Sequence, residues 1–195
     1  MKKRVFIIHG WDGRPDQHWL PWLKSELESK GFLVEAPQMP EAEHPRKSAW
    51  VSYLARLVGE PSQDTYLVGH SIGCKAVLRY LETLEEGGKI GGAVLVAGWV
   101  TLTNMSERTP EETEVINDWI NPPFDFAKIR SHAGNFTAIF SDDDPEVPLE
   151  ENKETYEKKL GAKIILEHNK GHFTADDGVV ELPSALEALL EISQS

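Results

Sequence analysis

The chain has 195 residues, 40% of them hydrophobic and 27% charged, with 15 Gly and 12 Pro. Such a length and mixture fit one folded domain over residues 1–195 and exclude a disordered, collagen-like or coiled-coil chain. With 32 acidic against 20 basic residues, the net charge of −12 repels phosphate backbones and anionic lipid, so neither nucleic acid nor a membrane surface is an expected partner.

Lys2, Lys3 and Arg4 lead into an apolar run, Val5 to Ile8, too short for the core of a signal peptide. No segment reaches the roughly 18 apolar residues of a membrane helix. A single cysteine cannot form an internal disulfide. These features predict a cytoplasmic chain.

Short β-branched runs alternate with helix-patterned stretches. The first strand is expected over Arg4–Ile8 and is followed by His9-Gly10-Trp11-Asp12-Gly13. A helix near Gln17–Lys30 carries Trp19, Trp22, Leu23 and Leu27 on one face. The second strand, Leu33–Ala36, precedes a helix near Pro45–Val58 with a stripe of Trp50, Leu54, Leu57 and Val58. The third, Thr65–Val68, runs into a helix from Ile72 to about Glu86 that stops at Gly87-Gly88. The remaining strands are expected at Ala93–Ala97, Thr137–Phe140 and Lys163–Leu166, with helices over Leu149–Leu160 and Val180–Ile192. Strands that are apolar throughout and alternate with helices predict an α/β domain with a mostly parallel sheet covered on both faces. The link Thr101–Arg130 is acidic at first and then rich in aromatics and proline (Trp119, Pro122, Pro123, Phe124, Phe126). It reads as a small cap, or as a surface helix whose aromatics complete the core.

The string that carries chemistry is Tyr66-Leu67-Val68-Gly69-His70-Ser71-Ile72-Gly73. A serine at a sharp strand-to-helix turn is held in a strained conformation with its hydroxyl clear of the sheet. Glycines two residues before and after let strand and helix approach without a Cβ clash. The following helix aims its amides and positive dipole end at the point where an oxyanion would form.

A serine hydroxyl is a weak nucleophile and needs a base held by an acid. Candidates for the acid follow the fifth strand, in Ser141-Asp142-Asp143-Asp144-Pro145-Glu146-Val147-Pro148. Candidates for the base follow the sixth, in Glu167-His168-Asn169-Lys170-Gly171-His172-Phe173. Asp144 sits where two prolines stiffen the loop and suits an orienting carboxylate; Asp142 is the alternative, and Asp143 reads as a loop charge. His172, beside Gly171, can turn towards the serine, whereas His168 reads as structural or exposed. His70 reads as a supporting residue, and His18, His44 and His132 as surface residues. The amides of Trp11 and Ile72 are the expected oxyanion donors. Trp11, His70, Trp99 and Trp119 are the expected walls of the substrate pocket.

The short length, the Gly-His-Ser-Ile-Gly elbow, Met39-Pro40, the Asp-Asp-Pro-x-Val-Pro loop and the Lys-Gly-His-Phe loop resemble the α/β-hydrolase superfamily. More narrowly, the chain resembles the family of retinoblastoma-binding protein 9 and related small bacterial serine hydrolases. The resemblance implies a six-stranded three-layer sheet in the order 2-1-3-4-5-6 and a triad of Ser71, Asp144 and His172. The first loop, His-Gly-Trp-Asp-Gly, departs from this towards ordinary esterases.

The expected reaction is hydrolysis of small or short-acyl esters through an acyl-enzyme, without a metal or organic cofactor. An amide or small-peptide substrate is the enzymatic alternative, and a protein-binding module on the same fold the non-enzymatic one. Cys74 is expected to point into the core. The acidic loop lacks the ligand spacing of a calcium site, and no phosphate-binding or dinucleotide-binding glycine motif is present.

Overall fold

The computed structural model describes residues 2–194. Six strands, β1 (Arg4–Ile8), β2 (Leu33–Glu35), β3 (Thr65–His70), β4 (Ile90–Val96), β5 (Ala133–Ser141) and β6 (Lys163–Glu167), form one sheet in the order β2-β1-β3-β4-β5-β6. Every pairing is parallel. The helices are α1 (Leu20–Ser29), α2 (Lys47–Val58), α3 (Ile72–Thr83), α4 (Pro110–Ile120), α5 (Phe126–Ser131), α6 (Leu149–Thr155) and α7 (Pro183–Gln194). Both the predicted order and the parallel architecture are borne out.

The sheet is hydrophobic on both faces because alternate side chains point to opposite sides. Val5, Ile7, Tyr66, Val68, Val94 and Val96 pack with Leu20, Leu23 and Leu27 of α1 and with Ala185, Ala188 and Leu189 of α7. Phe6, Ile8, Leu67, Ala93 and Leu95 pack on the other side with Trp50 and Leu54 of α2 and with most of α3. Strand β3 is buried at all six positions, so the turn that follows it leaves the centre of the sheet, with β1 and β4 on either side.

Two regions differ from the sequence expectation. The stretch Leu149–Leu160 is not one α-helix: after Thr155 the chain widens into a π-helical turn, Tyr156–Leu160, closed by Gly161 in the left-handed conformation. The link Thr101–Arg130 is more regular than expected. It holds a 3₁₀ turn (Met105–Glu107), α4 and α5. Helix α4 begins with a capping box in which Glu112 N donates to Thr109 Oγ1 and Thr109 N donates to Glu112 Oε2, with Pro110 in the first turn, a strong start signal. No helix among the described residues is long and apolar enough to cross a membrane.

Candidate active site

Ser71 lies between β3 and α3 with φ 53° and ψ −120°. A non-glycine residue holds that conformation only where its surroundings enforce it, at a cost of about 1–3 kcal/mol. The enforcing contacts are Ser71 N donating to Val96 O at 2.9 Å and Cys74 N donating to Ser71 O at 3.0 Å. The flanking glycines are required by close approach: a Cβ on Gly69 would stand 2.6 Å from Cys74 N, and one on Gly73 2.4 Å from Ile8 O. Ser71 thereby faces a pocket of about 510 Å³ at the carboxyl ends of the strands, where parallel α/β sheets place ligands.

His172 reaches the same pocket from the loop after β6. Its Nδ1–H donates to Asp144 Oδ2 at 2.9 Å and Oδ1 at 3.1 Å. A carboxylate only accepts, so the proton sits on Nδ1 and leaves Nε2 with a lone pair. Asp144 is itself fixed, since Oδ1 accepts from Glu146 N at 2.9 Å and Val147 N at 3.1 Å. The His172 backbone is held at both ends: its N–H donates to Asp177 Oδ2 at 3.0 Å, and its carbonyl accepts from His70 Nε2 at 2.9 Å. No hydrogen bond joins Ser71 Oγ to His172. Contacts of this kind commonly tighten only when substrate is bound.

The three adjacent aspartates hold three successive points of the opposite loop. Asp142 accepts from Asn169 N and pairs with His168 Nδ1. Asp143 accepts from Gly171 N at 2.8 Å and from Ser141 Oγ, which in turn accepts from Lys170 N. Asp144 takes His172. The described residues therefore contain two His–Asp pairs. The side chains of His168 and Asp142 are 69% and 37% exposed, those of His172 and Asp144 19% and 2%, and of the four only His172 lines the pocket. The hydrogen bond that His168 donates to Asp142, followed by the carboxylate's charge, raises the pKa of His168 above the ordinary value.

The first loop is pinned by a residue that sequence reasoning did not single out. His9 is buried; its Nε2 accepts from Met39 N at 2.9 Å, so its Nδ1–H donates to Gly10 O at 2.7 Å. Gly13 N donates to the same carbonyl at 3.2 Å. In a trans peptide the N–H points opposite to the C=O, so the Trp11 amide faces away from His9. The Ile72 amide stands in the first helical turn, where amides have no intrahelical acceptor. The Trp11 indole N–H donates to Glu43 O at 2.9 Å.

Trp11, His70 and Trp99 line the pocket. Trp119 does not: it is fully buried, its indole N–H donates to Pro45 O at 2.7 Å, and its ring meets the Trp50 ring edge-on. A buried indole needs an acceptor, and the chain before α2 supplies one deep in the core. His18 and His44, read as surface residues, border the pocket. His132 is buried, with Nδ1 within 2.7 Å of Gly88 O. Burial, reinforced by His172, lowers the pKa of His70 to about 3, which keeps it neutral as a donor to His172 O. Cys74 is buried and its Sγ–H faces Gly69 O and Val96 O; burial pushes its thiol pKa up. The link after β4 supplies Leu102, Arg108, Thr109, Glu111 and Glu112 to the pocket wall. Among the described residues, no group of three His, Cys, Asp or Glu side chains is placed to hold a metal ion.

The chain is similar to known proteins in sequence and in fold. The chain is 33% identical over 189 residues to YdeN of Bacillus subtilis, covering 97% of this chain and 95% of that one. The crystal structure of the ydeN gene product superposes with a TM-score of 0.88 over the whole of both chains. Serine hydrolase RBBP9 of Rattus norvegicus is 27% identical over 166 residues, covering 85% of this chain and 78% of that one. Est1E from Butyrivibrio proteoclasticus, at 15% identity and a TM-score of 0.74 over 100% of this chain and 89% of its own, shares the fold. The family model described as "Serine hydrolase" matches residues 5–191, and the chain belongs to that family.

Proposed function

We propose that the chain hydrolyses small carboxylic esters through Ser71, His172 and Asp144 by way of an acyl-enzyme. The observation that carries this reading is the bond from His172 Nδ1 to the buried Asp144, on the rim of the pocket that holds the strained Ser71. His172 Nε2 accepts the Ser71 hydroxyl proton as Oγ attacks the ester carbonyl, and Asp144 stabilises the imidazolium formed. The Trp11 and Ile72 amides hold the oxyanion. Collapse expels the alcohol, which takes the proton from His172. Water then gives its proton to Nε2 and attacks the acyl carbon, and collapse releases the acid as Ser71 Oγ takes that proton back from His172. Trp11, Trp99 and His70 are assigned to the pocket wall, and residues 101–130 to a small cap over the single domain. The 510 Å³ pocket suits a small substrate. With one cysteine, buried, and no membrane-spanning helix among the described residues, the reading assigns a cytoplasmic enzyme acting on small molecules.

A fluorophosphonate probe should label wild-type protein at Ser71, located by peptide mass mapping. Ser71→Ala should abolish labelling and lower p-nitrophenyl acetate hydrolysis at least about 10⁴-fold. Labelling elsewhere, or an active Ser71→Ala, defeats the reading. Faster turnover of an aminoacyl anilide than of the ester moves the substrate class to amides.

A further inference from the structure

Lys75, one turn after Ser71 on α3, has no exposed surface, and its Nζ has no hydrogen-bond partner. Buried ammonium groups are ordinarily paired. Here Nζ lies 3.9 Å from the Trp99 ring centre and 5.0 Å from that of Phe124. Lys75 also lines a separate cavity of about 200 Å³ with Val100, Ile120, Phe124, Phe126 and Lys159. The charged groups facing it are Arg79, from its own helix and over the Phe124 ring at 4.0 Å, and Lys159 across the cavity. No carboxylate lines the cavity. Arg79 is ion-paired with Glu82 and donates to the carbonyls of Trp119 and Pro122, with its Nε left without a partner, so the buried positive charge that lacks an anionic partner is at Lys75.

We propose that this cavity binds a small aromatic carboxylate, its ring among Ile120, Phe124 and Phe126 and its carboxylate on the Lys75 ammonium, which swings off the Trp99 face into the cavity to meet it. An apolar protein cavity of about 150 Å³ accepts benzene, and the larger space here leaves room for a carboxyl group. The site is distinct from the Ser71 pocket but shares a wall with it, since Trp99 lines that pocket and carries Lys75 over its face. Burial, reinforced by Arg79, lowers the Lys75 pKa to about 7. Above that pH the free amine must take one proton from solvent to form the ammonium–carboxylate pair.

Titration calorimetry with phenylacetate at pH 8, in two buffers of different ionisation enthalpy, tests the site. One-to-one binding with uptake of close to one proton is expected. Binding should fall at least about tenfold for the uncharged phenylacetamide and for Lys75→Met, the loss of a charge-assisted bond. Val100→Trp, which fills the cavity and keeps the lysine, should also weaken it, whereas His172→Ala should leave it unchanged. The proposal is overturned by the absence of millimolar binding, by binding without proton uptake, by a Lys75→Met or Val100→Trp protein that binds as wild type does, or by loss of binding in His172→Ala.

Discussion

Replacing Lys75 with methionine should stabilise the protein, and by an amount that depends on pH. In the unfolded chain this amine has an ordinary pKa of 10.5, and in the fold about 7. The lowered value means that folding disfavours the charged form. The cost is therefore absent above pH 10.5, grows as pH falls towards 7 and is complete below it. A fall of that size corresponds to about 5 kcal/mol. Methionine keeps the length and flexibility of the stem and has no charge to desolvate. Lys75→Met should then gain up to about 5 kcal/mol at pH 6, less at pH 8.5, and little near pH 10. Urea unfolding at these pH values, with midpoints compared at unchanged m, measures it. A variant less stable than wild type at pH 6, or a gain that does not shrink as pH rises, would refute the reasoning.

Asp144→Asn should lower kcat by about 10⁴-fold, because the amide favours the wrong imidazole tautomer, while Asp142→Asn should leave kcat within about twofold. The reverse ranking in ester hydrolysis would move the acid to Asp142. In Asp142→Asn, the His168 ring protons should titrate at lower pH than in wild type by NMR, since the carboxylate is what raises that pKa. His9→Phe retains a ring but loses the bond that fixes Gly10 O, and should reduce kcat about tenfold to a hundredfold with little change in KM. Gly73→Ala would place a methyl group 2.4 Å from Ile8 O and 2.7 Å from His9 O, both backbone atoms. It should destabilise by about 2–3 kcal/mol in urea unfolding; wild-type stability would mean that β1 and α3 are less tightly apposed than described.

The sheet was legible because its strands are short runs of Val, Ile, Leu and Phe separated by amphipathic helices, and a parallel sheet demands that pattern. Their ends were less so: β4 begins at Ile90 and not Ala93, since Ile90 and Gly92 pair with Ala133 and Asn135 in the ladder although Gly91 and Gly92 carry no apolar side chain. The Ser71 turn was legible because its constraints are local, two glycines and a serine within five residues. What escaped depends on partners remote in the chain. The Trp119 indole is captured by Pro45, 74 residues away, and no periodicity within the link announces that. The part played by His9 rests on Met39. Lys75 stands in an otherwise apolar run, Ile72-Gly73-Cys74-Lys75-Ala76-Val77-Leu78, where a lysine on the helix's outer side would look the same. The start of α4 also escaped, although it is written locally in Thr109-Pro110-Glu111-Glu112, a capping signal that needs no tertiary knowledge.

The matching of Asp142, Asp143 and Asp144 to Asn169, Gly171 and His172 constrains how this corner of the protein can evolve. Deleting one residue from either stretch would not remove a single contact but offset every rung at once, sending a carboxylate to the wrong amide and the imidazole to none. Length changes here are tolerable only as compensated pairs, one in each loop, whereas outward-facing turns such as that around Gly87 can grow or shrink freely. Among relatives of this chain, insertions should therefore accumulate everywhere on the rim except across these two facing segments.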